Sequence, residues 1–276
     1  MGSAMDMAVQ SCQASFQWER WNCPSTDFYL KHTSKPLQFD REDAYVSAIS
    51  IAAILYTINK DCSSGIVAGC GCGNNPNSIN PCSDDPQKAE ELYKSHVNSE
   101  VSKDFTGSMR RHNFMAVSML LRKSLTKKCA CLNLGPNGCL SEVCVNVLKP
   151  FQEIASDIRQ MYEEALQLSN SILNAQVMWK NVPLDVLVFG KDSPSYCEPD
   201  AVAHWNGMRG RQCSAATGDN ISPEERVSCH NLCRECGYQV RTRNVITEKP
   251  CHCQLTWGFQ VQCDTCVNVE EQYYCY

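Results

Sequence analysis

Apolar residues recur at helical spacing through the first part of the chain and lose that spacing in the last third. Between Arg41 and Lys60, Val46, Ile49, Ala53 and Tyr56 fall at the repeat of a helix with one buried face. Phe151, Ile154, Ile158, Met161, Ala165 and Leu168 are separated by steps of three and four, which makes one continuous stripe. Helices are predicted over 41–60, 87–104, 105–128 and 145–173, with cysteine-rich loops at 62–82 and 129–144. From about residue 196 the pattern alternates instead. Tyr238 to Thr242 and Phe259 to Gln262 read as short strands among many Gly, Asn, Asp and Ser residues. Residues 175–195, with Pro183, Gly190 and Pro194, read as a linker that holds one strand, Val186 to Phe189. The expected fold is α+β and disulfide-rich: an N-terminal α-helical bundle over 1–174 with cysteine-stapled hairpin loops, and a small C-terminal cysteine-rich β-hairpin domain over 196–276.

Composition adds a compartment. The 276 residues include 20 cysteines, an even and clustered set that points to an oxidising environment. With 43% hydrophobic residues the chain can also build a packed core. The formal charge of -5 argues against a nucleic-acid partner. The longest apolar stretch, Ala44 to Ile58, is too short for a membrane span and contains Ser47, Ser50 and Thr57, so no membrane insertion is expected. No signal peptide is visible. Met1-Gly2-Ser3-Ala4 reads as a vector-derived scar that replaces the natural N-terminus. Asn220-Ile221-Ser222 is a glycosylation sequon, although Pro223 follows it.

The cysteines allow two chemistries. Cys233-x-x-Cys236, Cys251-His252-Cys253 and Cys263-x-x-Cys266 mimic zinc-ligand spacing. Disulfides are the better reading, because as many cysteines lie in the other half, several with no partner at zinc spacing. No metal or cofactor is therefore expected. Cysteines two apart on a strand point the same way and can staple two rungs of a hairpin. Cys129 and Cys131, followed by Cys139 and Cys144, suit one such hairpin. Cys251 and Cys253, followed by Cys263 and Cys266, suit another.

Several segments resemble the Wnt family of secreted signalling glycoproteins. Cys12-Gln13-Ala14-Ser15-Phe16-Gln17-Trp18-Glu19-Arg20-Trp21-Asn22-Cys23 looks like the family pattern C-Q-x-x-F-x-x-x-R-W-N-C. Arg41 to Ser50 resembles R-E-x-A-[FY]-x-x-A-I-S, and Ser193-Pro194-Ser195-Tyr196-Cys197-Glu198 is similar to S-P-x-[FY]-C-E. Gly210-Arg211-Gln212-Cys213 and the spacing of Cys251, Cys253, Cys263 and Cys266 also match, and the likeness runs from about residue 8 to 276. The resemblance implies the bridges Cys12–Cys23, Cys62–Cys70, Cys72–Cys82, Cys129–Cys144 and Cys131–Cys139. In the second half it implies Cys197–Cys236, Cys213–Cys229, Cys233–Cys275, Cys251–Cys266 and Cys253–Cys263. It further implies an extracellular ligand that regulates development. Such a ligand would grip a Frizzled cysteine-rich domain between a thumb, loop 129–144, and a finger, hairpin 251–266. The family's linker contacts a low-density-lipoprotein-receptor-related co-receptor.

Two departures matter. The family carries a monounsaturated acyl chain on a serine in a tip reading C-H-G-x-S-G-S-C. Here the tip is Cys131-Leu132-Asn133-Leu134-Gly135-Pro136-Asn137-Gly138-Cys139, with no hydroxyl to esterify. The finger tip, Leu255-Thr256-Trp257-Gly258-Phe259 with Val261 beyond, has Trp257-Gly258-Phe259 where the family has W-C-C. Both departures resemble those of a divergent, non-lipidated insect member. The thumb tip suits either a receptor contact or a plain solvated turn. Trp257 and Phe259 are read as binding anchors rather than as local core against Tyr238 or Tyr273.

Other classes carry less. A secreted lipase-like enzyme would need a nucleophile elbow, and none is present. His112, with Asp104 nearby in sequence, is read as a helix-packing residue of the family pattern H-N-x-x-[AG]. Arg110, Arg111, Arg122, Lys123, Lys127 and Lys128 form a basic run that suits heparan sulfate, although such runs are usually solvated helix faces. Glu90, Glu91, Glu163 and Glu164 are read as solvent-facing.

Overall fold

A computed structural model describes residues 2–29, 39–67, 70, 82–96, 104–136, 138–168, 182–201, 205–256 and 260–276. The chain divides into two compact units: Met1–Ser15 with Cys23–Ser193, and Phe16–Asn22 with Pro194–Tyr276.

The first unit is built on helices α1 (Gly2–Ser15), α2 (Thr26–Tyr29), α3 (Arg41–Ser63), α4 (Pro86–His96), α5 (Phe105–Lys123) and α6 (Phe151–Glu163). The central helix α3 starts where the Asp40 carboxylate accepts the Asp43 N–H at 2.8 Å, with Glu42 and Asp43 favouring the positive end of its dipole. It is wrapped by α1, α4, α5 and α6, so Ala44, Tyr45, Ala48, Ile49, Ala52, Ala53 and Leu55 are buried around more than one face. The stripe of α6 buries Phe151, Ile154, Ile158 and Met161. Among the described residues no helix is long and apolar enough to cross a membrane.

Several predicted boundaries move. Helix α1 begins at Gly2, and Ala4 is 2% exposed, which leaves the origin of residues 1–4 untouched. The helix predicted over 105–128 stops at Lys123, and 125–128 open strand β1 (Leu125–Gly135). The helix predicted over 145–173 loses its start to strand β2 (Gly138–Leu148). Both losses have one cause: cross-strand pairing of these ends overrides their helical spacing. Pro150, which lacks an N–H, then marks the entry to α6. The same stripe ends early because β3 (Leu166–Gln167) pairs in parallel with β4 (Val188–Phe189). Leu168 joins Phe39, Ala44, Met109 and Val188 in a cluster off that strand rather than on a helix. The stretch read as a linker thus contributes β4 to the first unit. Glu90, read as solvent-facing, is 8% exposed and is held by Lys94 at 2.5 Å and Arg122 at 2.6 Å.

The second unit holds β5 (Gln212–Cys213), α7 (Pro223–Ser228), a π-helical turn (Cys229–Arg234), β6 (Val240–Thr256) and β7 (Gln260–Cys275). Its sheet order is β5-β7-β6, all antiparallel. Its core is Met208, Cys213, Leu232, Cys233 and Cys275, flanked by Trp205, Tyr238, Val240 and Tyr273. Segment 16–22 belongs with this unit for visible reasons. Arg211 donates to Gln17 O at 2.8 Å, and Arg20 donates to Asn231 O at 3.1 Å and pairs with Glu235. Burial pushes the Arg211 guanidinium down to about 10. Phe16 and Trp21 meet edge to face at 5.0 Å.

Nine bridges join described cysteines: Cys12–Cys23, Cys62–Cys70, Cys129–Cys144, Cys131–Cys139, Cys197–Cys236, Cys213–Cys229, Cys233–Cys275, Cys251–Cys266 and Cys253–Cys263. Cys82 is also disulfide-bonded, and Cys72 lies outside the described residues. The cysteines with zinc-like spacing, Cys233, Cys236, Cys251, Cys253, Cys263 and Cys266, are all in bridges and offer no thiolate to a metal.

Candidate functional site

Each unit projects one antiparallel ribbon, and each ribbon is stapled by two disulfides near its tip. In the first unit β1 pairs with β2 from Leu125–Leu148 out to Gly135–Gly138. The base of this ribbon is tied to the helices. Leu148 N–H donates to the Asp84 carboxylate at 2.7 Å, Lys60 forms an ion pair with the same carboxylate, and Lys149 N–H donates to Ser124 O at 3.0 Å. Farther out, no described element packs a core against the ribbon. Cys129 lies directly opposite Cys144, and their bridge holds the register.

Beyond Cys131 the ladder shifts, so that Leu132 on β1 and Leu140 on β2 are each an extra residue between paired neighbours. Both leucines are exposed, at 49% and 75%, as is Pro136 in the turn. Leu140 lies over Gly135, where a Cβ would sit 2.7 Å from the leucine Cγ. Gly135 is therefore the residue that lets the second leucine cross the ribbon. Gly138, at φ 119°, closes the turn in a conformation that favours glycine. Of the predicted tip residues, Leu132, Asn133, Leu134 and Gly135 are on β1, Pro136 is in the turn, Gly138 starts β2, and Asn137 lies outside the described residues. Leu140 lies outside the tip that the cysteine spacing predicts, which ends at Cys139. Its signal is an apolar residue on a strand with no core to face.

In the second unit β6 and β7 pair from Val240–Cys275 to Thr256–Gln260. The hairpin 251–266 is the outer part of this longer ribbon. One shift, between Cys251 and Gln254, puts an extra residue on β6, where His252 takes a φ of 48°. Leu255 pairs with Val261, and Val261 is 66% exposed. Trp257, Gly258 and Phe259 lie outside the described residues. Tyr238 and Tyr273, the alternative packing partners for this tip, belong to the cluster at the other end of the ribbon.

The remaining candidates have structural partners. His112 is buried, with Nε2 3.0 Å from Val186 O, and burial lowers its pKa. Asp104 caps α5 by accepting Gly107 N–H at 2.7 Å, two turns of helix (~12 Å) from His112. Asn113 brackets β4, donating to Val188 O at 2.9 Å and accepting Val188 N–H at 2.8 Å. The basic run is divided. Arg122 is paired with Glu90, Arg110 lies over the Phe39 ring, and Lys123 is 4.0 Å from Asp185, while Arg111, Lys127 and Lys128 are exposed. Asn220 is exposed just before α7, and the Ser222 hydroxyl of its sequon accepts Glu225 N–H at 3.1 Å as the helix cap.

The described residues thus present two disulfide-stapled ribbons, one on a helical unit and one on a cysteine-rich unit. The Wnt family model matches residues 1–276, and the chain belongs to that family. It is 50% identical to the Wnt inhibitor of Dorsal protein of Drosophila melanogaster, covering 100% of this chain and 87% of that protein. It is 31% identical to human Wnt-8a, covering 97% and 82%. Among solved structures it resembles the complex of human WLS with WNT8A, with TM-score 0.76 and 30% identity over 99% of this chain and 92% of that one. It also resembles the N-terminal domain-linker of Drosophila WntD, with TM-score 0.58 and 46% identity over 71% and 96%. Like its relatives the chain is a secreted signalling ligand and not an enzyme, and a lipase-like activity finds no support.

Proposed function

We propose that this ligand binds a Frizzled-type cysteine-rich domain through the tips of its two ribbons, and that it does so without an acyl chain. The observation that carries the reading is the thumb tip. Between Cys131 and Cys139 no side chain bears a hydroxyl, and the exposed apolar groups described at the tip include Leu132, Pro136 and, just beyond Cys139, Leu140. A family-type acyl chain contributes on the order of 10 kcal/mol at ~0.8 kcal/mol per buried methylene, before ordering costs. Two exposed leucines recover roughly 2–4 kcal/mol. The thumb is therefore the weaker arm, and the finger, with Leu255, Trp257, Phe259 and Val261 at and beside its tip, supplies most of the grip. The expected ligand is soluble without a lipid carrier and narrow in receptor range. Exposed Asn220 is its expected glycan site.

The test is the intact mass of protein secreted from animal cells, with glycans removed, followed by titration with a Frizzled cysteine-rich domain. The polypeptide mass without an acyl increment is expected, together with a loss of about thirtyfold or more in affinity for Trp257→Ala. An acyl mass would end the lipid-free reading. Unchanged affinity of Trp257→Ala would remove the finger from the interface.

A further inference from the structure

The two edges of the β6–β7 ribbon are not alike. β6 carries the extra residue between Cys251 and Gln254 and also Pro250, which has no N–H to offer. A bulge and a proline are devices that blunt an edge against further pairing. β7 has neither: it carries no extra residue at that shift, and its pairing steps regularly from Asp264 to Cys275. Among the described residues, its outer edge is covered by β5 at Tyr273 and Tyr274 alone. From Gln272 out to Gln260 no described strand lies beside it. Val261, Val267 and Val269 fall at odd positions and share one face of this strand, with exposures of 66%, 63% and 60%. Ile246, directly across from Val269, is 68% exposed. A long, regular, valine-bearing edge with unpaired main-chain groups is a template for an added strand.

Where β5 ends and the open edge begins, there is a cavity of about 520 Å³. Trp18, Ser214, Glu225, Glu270, Glu271 and Tyr273 contribute to its lining. Glu225 accepts the Ser214 hydroxyl at 2.8 Å, Glu271 accepts the Tyr273 hydroxyl at 3.1 Å, and Glu270 is paired with Lys249 at 3.0 Å. Three carboxylates and an indole thus contribute to one lining, and of the three carboxylates Glu270 is the one in a described ion pair, a setting that attracts a guanidinium or ammonium group by charge and by its ring face.

We propose that the outer edge of β7, from Gln260 to Gln272, takes up an extended segment of a partner protein as an added strand, with an arginine or lysine of that segment in the cavity beside Trp18. The segment continues the line of β5, so it runs antiparallel to β7 and its cationic residue lies toward its N-terminal end. Its alternate residues are apolar and lie over Val269, Val267 and Val261. This surface lies on the shaft of the ribbon and does not depend on the receptor assigned to the tips.

The test uses the full secreted chain and a fluorescent probe peptide, acetyl-Lys-Thr-Val-Thr-Val-Thr-Val-Thr-Val-Thr-Val-amide. Control peptides carry Glu for Lys, or N-methyl groups on alternate amides. Saturable binding of the basic probe is expected, with slowed amide hydrogen exchange over 261–272. Binding should weaken about tenfold or more for the Glu peptide and for the chain variants V267K and V269K, and should vanish for the N-methylated peptide. The N-methylated control requires no variant to fold. Three results overturn the proposal: no saturable binding at millimolar probe, equal binding of the basic and Glu peptides, or exchange protection elsewhere. Concentration-dependent protection of 261–272 without probe, with self-association in sedimentation, assigns the edge to a second copy and likewise overturns a basic partner.

Discussion

Asn113 gives the sharpest quantitative test of how the first unit is held together. It is 0% exposed on α5, and its side-chain amide makes two hydrogen bonds to the main chain of Val188, also 0% exposed. Replacing it by alanine leaves the Val188 N–H and C=O buried without those partners. Each orphaned buried group costs roughly 1–3 kcal/mol. Two such groups, less the desolvation that the asparagine itself no longer bears, give an expected loss of about 3 kcal/mol. Asn113→Leu separates this cause from simple loss of volume, because leucine fills the space but restores neither hydrogen bond. Guanidinium unfolding with all bridges intact should show a similar loss for both variants. Exchange of the Val188 amide should accelerate in both. If leucine recovers most of the stability, space-filling and not hydrogen bonding is the cause. A loss below about 1 kcal/mol in both variants would refute the reasoning altogether.

Other tests follow from the same contacts. Asp84, whose side chain is 2% exposed, accepts Leu148 N–H and pairs with a partly exposed Lys60 at the thumb base. Asp84→Ala should cost about 2–3 kcal/mol, discounted for the solvent around Lys60, and should speed exchange at Leu148; a cost within about 0.5 kcal/mol of zero would contradict this anchor. Burial lowers the His112 pKa, so below about pH 6.5 the unfolded chain binds more protons than the folded one. Stability contributed by neutral His112 is then complete above that pH and falls as pH decreases. His112→Gln should flatten this slope in denaturation series across pH, and an unchanged slope would assign it to other groups. Ser222→Ala should lose about 1 kcal/mol of cap energy at α7 together with any glycan on Asn220, whereas Ser222→Thr keeps both; the readouts are intact mass and thermal unfolding.

The sequence alone determined the class of fold. The apolar stripes of α3 and α6 and the even, clustered cysteines are local signals, because a helix face repeats within a few residues and closely spaced cysteines imply stapled hairpins. The missing thumb hydroxyl and the aromatic finger tip were also legible, since both are questions of residue identity. Tertiary structure decided what depends on distant partners. Residues 125–128 and 145–148 have helical spacing yet became the two arms of one ribbon, because each satisfies the other's main chain. Glu90 looked solvated until Lys94 and Arg122 closed over it. Segment 16–22 went to the second unit because the main-chain oxygens of Gln17 and Glu19 meet Arg211, almost 200 residues away. Leu140 became a tip residue through a ladder shift, and β7 has an open edge because, among the described residues, β5 covers two of its residues and no more. Periodicity records which face of an element is buried. It does not record which remote group buries it, nor where a strand is left without a neighbour.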